Sequence, residues 1–176
     1  RDVLGSRGLG DVYKRQGGNG QESIANGIYG LKENGVKEDD LVLIHDAVRP
    51  LVSQGIISSN IAICKQYGYA ITGIQCREAI LESDDGFYST TSIPRDKLIR
   101  TQTPQTFRLT NIIKSHEEAR QKGIRNSVSS CTLLAELGGY EMHIVPGEER
   151  NIKITTTEDL EIFKVLMQTS KEDWLK

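Results

Sequence analysis

Apolar and polar positions follow two rhythms along this chain. Ile24, Ile28 and Leu31 recur at i, i+4 and i+7, the stripe of an amphipathic helix, with Ser23 at its start and Gly35 at its end. Leu41–Ile44 is an apolar run without alternation, which predicts a strand covered on both faces. The segment His45–Pro50 follows, and Pro50 stops regular pairing. Ser53 opens a second helix carrying Ile56, Ile57, Ile61 and Ile63, and Tyr69–Ile74 is the next strand. Residues 75–97 are polar, with Asp84-Asp85-Gly86 as a turn between β-prone stretches, and predict an extended hairpin or arm. Thr103-Pro104-Gln105 reads as an irregular link. Helices over Leu109–Lys122 and Val128–Leu137 close on Gly123 and on Gly138-Gly139. Tyr140–Val145 alternates as a strand, and Asn151–Thr155 is short and extended. Thr155-x-x-Glu158 predicts a capping box for a last helix, with Leu160, Phe163, Leu166 and Met167 on its inner face. Strands alternating with helices predict an α/β layered sheet, whose ligands lie at the carboxyl ends of strands. That rule singles out the residues after Ile44 and those around Lys153.

Composition narrows the function classes. The 176 residues have room for one domain with a buried core, and the net charge of −2 argues against a nucleic-acid or polybasic membrane partner. No apolar run approaches the roughly 20 residues that span a bilayer. No basic-then-apolar leader opens the chain, so a cytoplasmic location is expected. Cys64, Cys76 and Cys131 are odd in number and far apart, which fits free thiols better than a disulfide framework, and no metal-ligand spacing marks a zinc site. Residues 1–16 stand apart. Ser6–Gln16 reads SRGLGDVYKRQ and resembles one frame of a transposon-based sequencing adaptor, so 1–16 is expected to be an artefact and 17–176 the protein's own sequence, with net charge −4. Gly8-Leu9-Gly10 has no apolar strand before it, and the dinucleotide fingerprint fails there.

Few residues can carry chemistry. Asp46 directly follows a buried strand, a natural place for a hard oxygen ligand of Mg²⁺, although a turn-capping role explains it equally well alone. Arg49 adds a guanidinium suited to phosphate oxygens. His45, without a nucleophile or second His nearby in sequence, reads as a packed, hydrogen-bonded residue. Gly17–Ser23 is a Gly-rich segment before a helix, able to bring backbone N–H groups close to a ligand, or an ordinary loop with a Ser N-cap. Lys153 interrupts an apolar stretch, so it either snorkels at the sheet end or meets a phosphate. Arg95 is a solvated arm residue or a phosphate ligand reaching a neighbour. Arg77 and Glu78 form a local ion pair or stay solvated.

In this order the pieces resemble the cytidylyltransferases that act on sugar-alcohol phosphates, a family that includes the 2-C-methyl-D-erythritol 4-phosphate and D-ribitol-5-phosphate enzymes. The resemblance runs from Gly17 to about Lys164. It rests on GQESI (Gly20–Ile24), VLIHDAVRP (Val42–Pro50), QTPQTF (Gln102–Phe107) and NIKITTTEDL (Asn151–Leu160). It implies a Rossmann-like nucleotidyltransferase sheet with helices on both faces and a β-arm at about 75–97, lacking its first strands. Asp46 would hold Mg²⁺, with Arg49 and Lys153 as catalytic cations in the same pocket. Gly18, Gly20, Ser23 and Ala47 would bind CTP, and Thr103 and Lys153 would line the acceptor site. Arg95, on an arm crossing to the second subunit of a homodimer, would grip the acceptor phosphate. The reaction would transfer CMP from CTP and release pyrophosphate, without a covalent enzyme nucleophile.

The family opens with a strand and a basic Gly-rich triphosphate loop that this chain does not show, so the chain alone is expected to be inactive, with an open sheet edge. Gly20, Ala79 and Ser129-Ser130 stand where methylerythritol-type members carry Arg, Thr and Thr-Asp. HDAVRP, Ile56–Ile61 and Gly147-Glu148 look closer to ribitol-type members. Ribitol 5-phosphate is therefore the favoured acceptor, for wall or capsule polymers, with methylerythritol phosphate and isoprenoid synthesis second. Two other classes compete: a non-catalytic nucleotide-binding or dimerisation module, and a dinucleotide-dependent oxidoreductase domain, the latter opposed by the missing fingerprint.

Overall fold

The computed structural model describes residues 17–168; the expectations for residues 1–16 lie outside them. The elements are α1 (Gly20–Glu33), β1 (Leu41–Ile44), α2 (Gln54–Tyr67), β2 (Tyr69–Gln75), β3 (Ile80–Glu82), β4 (Thr91–Ile93), a 3₁₀ turn (Arg95–Lys97) and β5 (Ile99–Arg108). They continue with α3 (Leu109–Lys122), α4 (Ser130–Leu137), β6 (His143–Pro146) and α5 (Thr157–Gln168). Four strands form one sheet in the order β1-β5-β2-β6. β5 runs antiparallel to β1 and β2, and β6 runs parallel to β2. The carboxyl ends of β1, β2 and β6 therefore point the same way. The register sets Ile44 opposite Gln105, which brings the end of β1 beside Thr103.

Helices cover both faces. On one, Ile28 of α1, Leu109, Ile112 and Ile113 of α3 and Leu134 of α4 close over Val42, Ile71 and Phe107. On the other, Cys64 of α2 meets Ala70 and Val145. Fully burying each such aliphatic or aromatic side chain contributes about 1.5–3 kcal/mol relative to leaving it in water. β3 and β4 pair as a separate antiparallel hairpin, with Leu81 65%, Phe87 87% and Tyr88 82% exposed, so the predicted arm is present.

Several expectations are corrected. Thr103-Pro104-Gln105 is not an irregular link but the middle of β5, the longest strand. The pairing of β2 with β5 shifts between Ile71 and Gly73, so the partner strand has a bulge opposite these residues. Leu41–Ile44 is not covered on both faces: Val42 is buried, but Leu43 is 37% exposed, because β1 lies at one end of the four-strand order. β6 begins at His143, not Tyr140. Asn151–Thr155 joins no strand, and its Ile154 N–H donates to Val48 O at 2.8 Å. α1 is capped not by Ser23 but by Asn19, whose side chain accepts from Glu22 N. The box before α5 lies one residue later than expected. Thr156 Oγ1 accepts from Asp159 N, and the Asp159 carboxylate accepts from the N–H groups of Thr155 and Thr156. Those bonds, the Thr155 N–H first, hold the Asp159 carboxyl below its usual pKa. The inner face of α5 is only half covered, with Leu160 40% and Met167 61% exposed.

Candidate active site at the carboxyl end of β1

The turn after β1 is built by backbone capture. Arg49 N donates to Asp46 O at 3.0 Å, closing residues 46–49. Asp46 N donates to Thr103 Oγ1 at 2.9 Å, which ties the turn to β5. Thr103 Oγ1 is also 3.0 Å from His45 Nδ1, and His45 Nε2 is 3.0 Å from Arg49 O.

Two cations meet one carboxylate on this turn. Asp46 Oδ2 lies 3.1 Å from Arg49 Nε and 3.4 Å from Lys153 Nζ. Exposure grades across the three: the Arg49 side chain is 12% exposed, Asp46 31% and Lys153 48%. Arg49 is thus anchored in the wall, while Lys153 stands at the mouth. Arg49 also donates to Asn151 O at 2.7 Å. Asn151 is fully buried, and its amide donates to Gln102 Oε1 at 3.2 Å and to Thr103 O at 2.8 Å. Gln102 in turn donates to Glu148 O at 2.9 Å, and Ser53 Oγ donates to Glu148 Oε1 at 2.6 Å. This polar frame holds the segment carrying Lys153 against β1 and β5. Breaking one member of a paired, partly buried ion cluster leaves the others uncompensated.

Asp46, Arg49, Lys153 and Thr103 are therefore brought together as expected from the sequence, and Ala47 sits exposed in the same turn. Gly18, Gly20 and Ser23 form a second group at the start of α1. Gly17 N donates to Ser23 Oγ at 3.0 Å, Ser23 Oγ donates to Asn19 O at 2.9 Å, and Gly18 N donates to Glu22 Oε2 at 2.6 Å. Nothing fills the space beside Gly20 Cα. Arg95 stays at the base of the arm, donating to Arg77 O at 2.7 Å. Arg77 makes no ion pair with Glu78. The Glu78 carboxyl meets Arg100 at 4.0 Å, and its own backbone N–H, then Arg100, hold it below its usual pKa.

His45 is the packed, hydrogen-bonded residue the sequence reading expected. Asn151 and Gln102 were not singled out as site residues; the signal available was an amide opening each of the segments QTPQTF and NIKI. Among the described residues no group of three or more His, Cys, Asp or Glu gathers to hold a metal. A single carboxylate still suits Mg²⁺, which keeps several waters and completes its shell with substrate phosphates. No described helix is long and apolar enough to cross a membrane.

Comparison with known proteins gives the context of this site. Residues 12–169 match the family model for 2-C-methyl-D-erythritol 4-phosphate cytidylyltransferase, from a point five residues before Gly17. A protein of that name from Clostridium beijerinckii is 38% identical over 161 residues, which is 91% of this chain and 68% of its own. A ribitol-5-phosphate cytidylyltransferase from Lacticaseibacillus paracasei is 34% identical over 150 residues, 84% of this chain and 63% of its own. The crystal structure of the 2-C-methyl-D-erythritol 4-phosphate cytidylyltransferase from Thermus thermophilus superposes with a TM-score of 0.72 at 28% identity, covering 85% of this chain and 69% of that one. The chain thus spans about two thirds of the length of the curated relatives it matches.

Proposed function

Because the chain belongs to the 2-C-methyl-D-erythritol 4-phosphate cytidylyltransferase family, we propose that it is the larger part of a CTP-dependent enzyme that moves CMP onto the phosphate of a sugar alcohol. The observation that carries this reading is the convergence of Arg49 and Lys153 on Asp46 at the carboxyl end of β1. Two cations around one carboxylate, Arg49 anchored and Lys153 half exposed, make a net positive site suited to phosphate charge that grows during transfer. An oxygen of the acceptor phosphate attacks the α-phosphorus of CTP, the bond from that phosphorus to the bridging oxygen breaks, and pyrophosphate leaves. The acceptor oxygen is already anionic, so no base is required. Lys153, at the mouth, binds and orients the incoming phosphate, and Arg49, anchored by Asn151 O, keeps its guanidinium fixed beside it. Mg²⁺ held by Asp46 would supply further charge neutralisation on the phosphates of CTP.

The N-terminus of α1, with Gly18, Gly20 and Ser23, is assigned to the cytidine end of CTP, together with Ala47 of the turn. Arg95 belongs to a second copy's site: in its own protomer it bonds the arm base, and the exposed Leu81, Phe87 and Tyr88 give the arm an apolar tip to dock on a homodimer partner. Ribitol 5-phosphate is the favoured acceptor over methylerythritol 4-phosphate. Relatives of both names match at similar identity, and Gly20, Ala79 and Ser129-Ser130 depart from the methylerythritol pattern. The test is a pyrophosphate-release panel with the gene's full reading frame, CTP, and ribitol, erythritol and methylerythritol phosphates. Turnover with ribitol 5-phosphate above the others is expected. Preference for methylerythritol phosphate would reverse the acceptor assignment, and no release with any of them would remove the activity.

A further inference from the structure

We propose that His45 is a positioning residue: its ring bridges both ends of the Asp46–Arg49 turn, Nε2–H to Arg49 O and Nδ1 to the Thr103 hydroxyl, and locks the turn in its working geometry. The bonding roles follow from the partners. Arg49 O, 3.0 Å from Nε2, can only accept, so Nε2 carries the proton. Nδ1 faces the Thr103 hydroxyl 3.0 Å away. The same Thr103 oxygen accepts the Asp46 N–H at 2.9 Å. His45 therefore acts at both ends of the turn. Through Thr103 it sets the amide of Asp46, and directly it sets the carbonyl of Arg49. The opposite tautomer would aim a lone pair at Arg49 O and leave the Thr103 proton without this acceptor. Asp46 and Arg49 are the side chains the turn presents to each other at 3.1 Å, so a shift of either end misplaces the charged pair.

This inference rests on the reading of Asp46, Arg49 and Lys153 as the phosphate-handling centre, and two readouts separate the failure of one from the failure of the other. The first needs no activity. ¹⁵N-resolved spectra of the imidazole in the 176-residue chain report the tautomer of His45 directly. A single Nε2–H form is expected, and a mixture or an Nδ1–H form would overturn the proposal whether or not the enzyme turns over. The second uses the full reading frame. His45→Phe keeps a ring and removes both bonds; His45→Gln returns an N–H donor with the reach of Nε2. His45→Phe is expected to lower kcat about tenfold with KM for CTP within twofold, and His45→Gln to recover most of that loss at the same urea midpoint as His45→Phe. Wild-type kcat in His45→Phe, or a Gln variant no better than Phe, would refute the positioning role. If the wild-type enzyme releases no pyrophosphate, the functional reading fails, and the tautomer spectrum alone decides the role of His45.

Discussion

Lowering the pH should weaken this fold through one imidazole. His116 lies on α3, 5% exposed, and its Nε2 has no hydrogen-bond partner among the described residues. It lines a cleft of about 480 Å³ with Glu22 and Tyr29 of α1, Arg120 of its own helix, and Arg125. Burial first, and then the nearby Arg120 charge, push its pKa down from 6.5 to about 4. The unfolded chain therefore takes up a proton near pH 6.5, while the folded protein does not until about pH 4. Stability is full above the unfolded value, falls as the pH drops through that window, and levels off below the folded value. Between pH 7.5 and pH 5 the two pKa values imply a loss of about 2 kcal/mol. Urea unfolding of the chain and of His116→Leu at both pH values measures it. Glu78, Asp85, Glu118 and Asp159, all held low by hydrogen bonds, titrate in both proteins and cancel in the difference. The variant removes an unpaired buried nitrogen at nearly equal volume, so at pH 7.5 it should be at least as stable as the wild type. An equal loss in both proteins on going to pH 5 would refute the assignment.

Three further outcomes follow from the site and its frame. Lys153→Met in the full enzyme should lower kcat/KM at least a hundredfold, with an unchanged circular dichroism spectrum; a loss under threefold would remove Lys153 from the phosphate site. Gly147→Ala should destabilise by about 1–3 kcal/mol in urea. A Cβ at Gly147 collides with the Gln102 side-chain oxygen, which is buried and bonded to Asn151. An unchanged midpoint would mean that Gln102 yields freely. The 176-residue chain by itself, spanning about two thirds of its relatives, should release no pyrophosphate from CTP under conditions where the full reading frame does.

The parts of this structure legible in the sequence were those in which one residue type does one job. Ile28 and Ile56 fall on buried helical stripes, and Gly123 ends α3 in a left-handed conformation with φ of 73°. Asp46 and Arg49 could be singled out because strand ends in α/β sheets collect ligands, and Lys153 because a lysine interrupts an apolar stretch, although that stretch joins no strand. β5 was obscured because Gln102, Thr103, Gln105 and Thr106 are polar and yet buried. Their partners include His45, Asn60, Cys131 and Asn151, contributed by other segments, and a polar side chain satisfied from 46 or 49 residues away looks like a loop residue in one dimension. The same limit hid Asn151. Its burial depends on Gln102 and Thr103, and no local periodicity encodes that. The shift of the α5 cap from Thr155 to Thr156 is a smaller matter, since Asp159 can play the part expected of Glu158 and only the backbone decides between them.

Asp46, with Arg49 and Lys153 around it, is the proposed place of CTP chemistry. The most direct measurement is pyrophosphate release by the full reading frame with CTP, ribitol 5-phosphate and Mg²⁺, for the wild type and for Asp46→Ala. Turnover is expected in the wild type and a loss of at least a thousandfold in the variant, with the fold intact by circular dichroism. Near-normal turnover in Asp46→Ala would contradict it.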